Sequence, residues 1–147
     1  MWLRIISSFL IITAFTIALG VPLLLSGVTG FNLWQGEGVS MEPTYTAGDR
    51  LVVRRTTLAG VRRGAVVVLA APAGAPATDP PLLVKRAVAV PGDPVPGGIP
   101  VPEATVPAGR LVVLGDNAGR SADSRVRGLI PATDVVGVVG VVVRRRT

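Results

Sequence analysis

The chain has 147 residues, a formal charge of +6, no cysteine and no histidine. The first absence excludes disulfides, thiol nucleophiles and thiolate metal sites; the second excludes a Ser/His/Asp triad, a histidine zinc site and a histidine base, so hydrolysis would need serine, threonine, lysine, tyrosine or carboxylates. The arginines are scattered in pairs with few aromatics to stack bases, which argues against nucleic acid, and the length is that of one domain plus something small.

Residues 1–4 carry Arg4, and residues 5–28 then run for 24 positions without a charge. A helix of that length covers about 36 Å, enough for the hydrocarbon core of a bilayer. The first charges beyond it are Glu37 and Glu42, so the positive-inside tendency puts residues 1–4 in the cytoplasm and the rest of the chain outside. Trp2 at one end and Phe31 and Trp34 at the other suit interfacial positions, and Pro22 marks a kink or a frayed end. A cleaved signal peptide, with Ala18-Leu19-Gly20 as its small-x-small site, is the competing reading. The apolar run continues through residues 22–25, which favours an uncleaved, single-pass anchor followed by a membrane-proximal linker at 29–37.

Past the linker, short valine-rich runs alternate with glycine and proline, the pattern of an antiparallel β-domain over residues 38–143. Strands are expected at 50–55, 65–70, 82–90, 110–114 and 135–143, with proline-rich connections at 72–81 and 91–107 and no long amphipathic helix. The last run is too short for a second membrane span, and residues 144–147 follow as a basic tail.

The strand at 82–90 carries the single lysine of the chain, against fourteen arginines. In a composition that favours arginine this strongly, a lone lysine hints at chemistry guanidinium does not perform, because guanidinium stays protonated while a desolvated amine becomes a base; a surface position that escaped the bias by chance is the alternative. With a period of two, Lys85 shares its face with Leu83, Ala87 and Ala89, an apolar setting that could strip water from the ammonium; a snorkelling lysine with its head in water fits the same pattern. Outside the anchor only Ser40, Ser121 and Ser124 are serines. Ser40 lies in GEGVSMEPT, a glycine-flanked turn of the kind that can present backbone N–H groups to an oxyanion, and the other two lie in the loop LGDNAGRSADSRVRG. Ordinary turn serines remain the alternative at all three.

The successive segments VSMEPT, AGDRLVV, VKRAVAVPGD and VPAGRLVVLGDNAGRSADSRVRGLIP, spread over most of residues 38–139 behind an N-terminal anchor, resemble the conserved boxes of bacterial type I signal peptidases. The resemblance implies a mostly β, membrane-anchored endopeptidase on the outer face of a bacterial cytoplasmic membrane, removing signal peptides from exported preproteins after small residues. It implies Ser40 as nucleophile and Lys85 as general base, with Ser121 hydrogen-bonded to the lysine amine. Asp123 and Arg125 would form a supporting ion pair, while Ser124 carries no catalytic assignment. Met41 would shape the pocket for the residue before the scissile bond, and the Ser40 backbone N–H would serve the oxyanion. Some relatives place a hydroxyl two residues before the nucleophile; Gly38 stands there, so that help is missing or comes from backbone. No metal or nucleotide is required, and the partners expected are signal peptides and membrane lipid, with the enzyme a monomer.

The chain is short for that family, with trimmed connections and Ala118-Gly119-Arg120 where relatives often carry more polar residues. A dedicated peptidase with few substrates is therefore one alternative. A self-cleaving serine/lysine repressor shares the chemistry but has a DNA-binding domain where this chain has an anchor. A membrane-anchored, non-catalytic module that binds exported chains is the alternative outside enzymes.

Overall fold

A computed structural model describes residues 31–35, 38–77 and 79–143. The anchor expected at 5–28 and the tail at 144–147 lie outside them, and no helix among the described residues is long and apolar enough to cross a membrane. The described strands are β1 (Phe31–Gln35), β2 (Arg50–Arg55), β3 (Val66–Ala70), β4 (Leu82–Ala89), β5 (Arg110–Leu114), β6 (Ile130–Pro131) and β7 (Val135–Val143). They lie in the order β1-β2-β7-β3-β4-β5-β6, and the pairings from β2 to β6 are antiparallel.

All five expected strands are present, with ends that shift for local reasons. Ala65 is held in a turn by its N–H to the Arg62 carbonyl, so β3 starts at Val66. Val90 donates its N–H to the Asp93 carboxylate, which turns the chain out of the sheet after Ala89. Three short elements went unforeseen. β1 falls inside the segment read as linker, where its aromatics had suggested a membrane interface. β6 has only two residues and ends in Pro131, tolerable because β6 is an edge strand. The third is a single helical turn, Ser124–Arg127, capped by the Asp123 carboxylate, which accepts the Arg125 N–H.

β3 explains how the sheet buries both faces. Val67 and Leu69 pack with Ala87, Leu111 and Val113 on one side, while Val66 and Val68 pack with Met41, Leu51, Val53 and Val84 on the other. A strand covered on both faces reads as a continuous apolar run, as VVVLA does. β7 inserts between β2 and β3, and the approach is close at Gly137, where a Cβ would sit 2.5 Å from the Arg54 carbonyl oxygen.

One consequence of this topology positions the chemistry. On one side β4 pairs with β3 from Arg86 to Leu82, but on the other it meets β5 only at Arg86, Ala87 and Ala89. Among the described residues no strand covers 82–85 on that second side, so this stretch is an open edge inside the sheet.

Candidate active site

Lys85 sits on the open edge of β4 beside Val67 of β3, only 4% exposed. The alternation expected from sequence holds from 82 to 87, where Leu83 and Ala87 pack into one core cluster and Leu82 and Val84 into the other, and breaks at the irregularity between Ala87 and Ala89, after which Val90 joins the Leu83 cluster. The amine is not snorkelling. Its Nζ donates to Ser40 Oγ at 2.6 Å, the one side-chain hydrogen bond of Lys85 among the described residues.

Ser40 lies in a tight turn in which Glu42 N–H donates to Val39 O and Tyr45 N–H to Met41 O. Three neighbours in the loop after β5 fasten that turn. Asn117 N–H donates to the Ser40 carbonyl at 2.9 Å, and the Asn117 side-chain amide donates to the Val39 carbonyl at 3.1 Å. Gly115 allows the close approach: a Cβ there would lie 2.6 Å from the Ser40 carbonyl oxygen and would collide with the Ser121 hydroxyl. Asp116 accepts from Thr44 of the serine turn and, through both oxygens, from Arg86 of β4 at 2.9 and 2.7 Å. The segments that carry Ser40 and Lys85 are thus joined through one carboxylate. The Ser40 N–H meets no backbone carbonyl acceptor among the described residues, which leaves it available to an oxyanion.

Asp123, 1% exposed, organises the rest of the loop. It forms an ion pair with Arg125 at 2.6 Å, accepts the Gly115 N–H at 2.8 Å and accepts the Ser121 hydroxyl at 2.7 Å. Burial works to raise its pKa, but the Arg125 guanidinium and the surrounding N–H and O–H donors outweigh it and hold the carboxyl well below the usual range. Ser121 therefore differs from expectation. Its hydroxyl donates to Asp123, and among the described residues no hydrogen bond joins it to the lysine amine. Ser124 is fully buried and accepts the Val113 N–H, a structural role.

Desolvation pushes the Lys85 pKa down, the Asp123 charge pushes back, and the positive charges of Arg127 and Arg125 lower it further. Ser40 and Lys85 open onto a cavity of about 790 Å³, to which Gly38, Met41, Leu82 and Val84 contribute. Met41 is buried against Leu51 and Val84 and forms part of the floor. At Gly38 the space is open, with no atom within 4 Å of a would-be Cβ. Among the described residues no group of three or more Asp or Glu could hold a metal ion.

Sequence reading singled out Ser40, Lys85, Ser121, Asp123, Arg125 and Met41, and the structure gathers all six in this region. It missed Thr44, Arg86, Gly115, Asp116 and Asn117. The available signals were the arginine directly after the lone lysine and the Gly-Asp-Asn run directly after β5. A family model described as signal peptidase, peptidase S26, matches residues 3–96 and 99–144. Comparison with curated proteins finds no match.

Proposed function

Because the chain belongs to the signal peptidase family S26, hydrolases that remove signal peptides from preproteins, we propose that it cuts with a Ser40/Lys85 dyad, from a membrane anchor at 5–28, after small residues. The observation that carries this reading is the 2.6 Å contact between Lys85 Nζ and Ser40 Oγ at a nearly water-free position. With its pKa lowered by burial, the neutral amine accepts the Ser40 proton through the same contact by which the ammonium donates.

Ser40 Oγ then attacks the peptide carbonyl, and the Ser40 N–H stabilises the oxyanion. Protonated Lys85 passes its proton to the leaving nitrogen, giving an ester on Ser40 and a free amine on the mature chain. Water, deprotonated by Lys85, releases the signal peptide as a carboxylate.

The substrate adds as an extended chain to the open edge of β4 at residues 82–85, with backbone hydrogen bonds supplying affinity. Small side chains before the scissile bond fit the floor made by Met41, Leu82 and Val84. Cleavage of a preprotein with an Ala-x-Ala site, in detergent or liposomes, tests the proposal. The parent cuts at that site and a folded Ser40→Ala variant does not; equal cutting by both excludes the dyad.

A further inference from the structure

Four arginines lie on β4 or on the loop that follows β5, and they fall into two pairs. Arg86 and Arg125 are held by Asp116 and Asp123. Arg120 and Arg127 line the cavity itself, are exposed, and form no ion pair among the described residues. They come from the two ends of the loop segment that also supplies Ser121 and Asp123, and with Ala122 they make the wall adjoining Lys85. Arg127 is near enough for its charge to bear on the Lys85 amine. A group of opposite sign, Asp79, lines the same cavity from the chain just ahead of β4.

From this arrangement we infer that Arg120 and Arg127 form a cationic subsite that selects substrates with an acidic side chain in the first residues after the scissile bond. The inference rests on the orientation in the proposed function. A chain along 82–85 that places its small side chains over Met41, Leu82 and Val84 leaves its next residues at the Lys85 end, beneath the two arginines. Asp79, which precedes the start of β4 while Lys85 lies further along it, adds direction, since an acidic group near Asp79 meets repulsion and near the arginines attraction. Ala122 between the arginines leaves room for a side chain to lie across it.

An exposed charge pair contributes up to about fivefold in binding. Two arginines acting on one carboxylate, against the repulsion felt by a lysine, give a Glu-over-Lys preference of about tenfold in kcat/KM, carried mainly by KM. The test uses the full chain in uncharged detergent with three Ala-x-Ala preproteins that differ only in Glu, Gln or Lys at the first two positions after the cut. The Glu-to-Lys ratio is measured within the parent and within Arg120→Gln, Arg127→Gln and the double variant, so that any change in the base cancels.

The expected result is a ratio near tenfold in the parent, about twofold or less in the double variant, and smaller at about 1 M salt, where the Debye length shrinks to about 3 Å. Equal cleavage of all three substrates by the parent overturns the subsite and leaves the dyad standing. No cleavage of any substrate, the acidic one included, overturns both. A preference that appears only in vesicles containing anionic lipid assigns the arginines to lipid headgroups and also overturns the inference.

Discussion

Replacing Lys85 with arginine keeps the positive charge and removes only the ability to lose it. In the parent, Nζ stands 2.6 Å from Ser40 Oγ and the side chain is 4% exposed, so no water-borne base has an easy route to the hydroxyl proton. A guanidinium, with a pKa above about 12, cannot take that proton at working pH. Loss of a positioned general base costs about 10²- to 10⁴-fold, or roughly 3 to 5 kcal/mol of transition-state stabilisation. The assay is kcat/KM on an Ala-x-Ala preprotein across a pH series, with circular dichroism and a thermal melt confirming the fold. Parent activity rises with pH as Lys85 deprotonates, on a limb that lies below the ordinary 10.5 because burial lowers the pKa. Lys85→Arg loses that limb. Lys85→Met separates chemistry from folding. Because the folded-state pKa lies below the unfolded one, the unfolded chain binds the proton more readily, and the ammonium costs stability at every pH below about 10.4. The methionine variant is therefore inactive yet melts a few degrees higher at pH 7. An arginine variant within about threefold of the parent would refute the reasoning.

Asp123→Asn removes the charge that holds Arg125 and weakens the bonds to Gly115 and Ser121. It lowers stability at pH 7 by about 2 to 3 kcal/mol, read by urea denaturation, since one partner is partly exposed. The parent shows the matching pH dependence: with the folded carboxyl depressed, its contribution is full above the unfolded pKa of about 3.9 and is lost as pH falls below it, and the asparagine variant lacks that acid limb. Gly115→Ala forces a methyl to within 2.6 Å of the Ser40 carbonyl oxygen, displacing the serine turn and lowering kcat/KM about a hundredfold; unchanged kinetics would mean that the turn is not fixed by this contact. Gly38→Ser enters open space, changes stability by less than about 0.5 kcal/mol, and raises kcat by up to about tenfold if its hydroxyl reaches the oxyanion. An unchanged kcat would show that backbone alone fills that role.

The proposed nucleophile and base were singled out in the sequence by the family resemblance together with residue type: a lone lysine among fourteen arginines, and a serine in a turn between glycine and proline. The five long strands were legible as β-branched runs between breakers. The direction of the Ser121 hydroxyl was not legible, because only the folded loop shows that it donates to Asp123. Asp116 and Asn117 look like turn formers in sequence, and their tertiary partners, Arg86 thirty positions away and Val39 seventy-eight away, have no local signature. β6 was missed because two residues carry too little pattern, and β1 because its aromatics, just past the apolar run, read as a membrane interface.

The missed residues explain how half-buried Ser40 and buried Lys85 are held in alignment. A neutral amine and a hydroxyl attract each other weakly, so their contact cannot by itself hold a loop against a sheet. The alignment comes from charged and backbone groups one step outward: Arg86 on the base-bearing strand and Thr44 on the serine turn share the Asp116 carboxylate, while Asn117 grips the peptide carbonyls on either side of the nucleophile's nitrogen. These bonds tolerate ionisation because their partners stay charged at neutral pH. In the proposed mechanism Lys85, by contrast, changes charge in each step, and a fold that relied on its charge for cohesion would loosen whenever the proton moved. Separating the groups that hold the site from the group that works in it lets the lysine titrate without moving the serine.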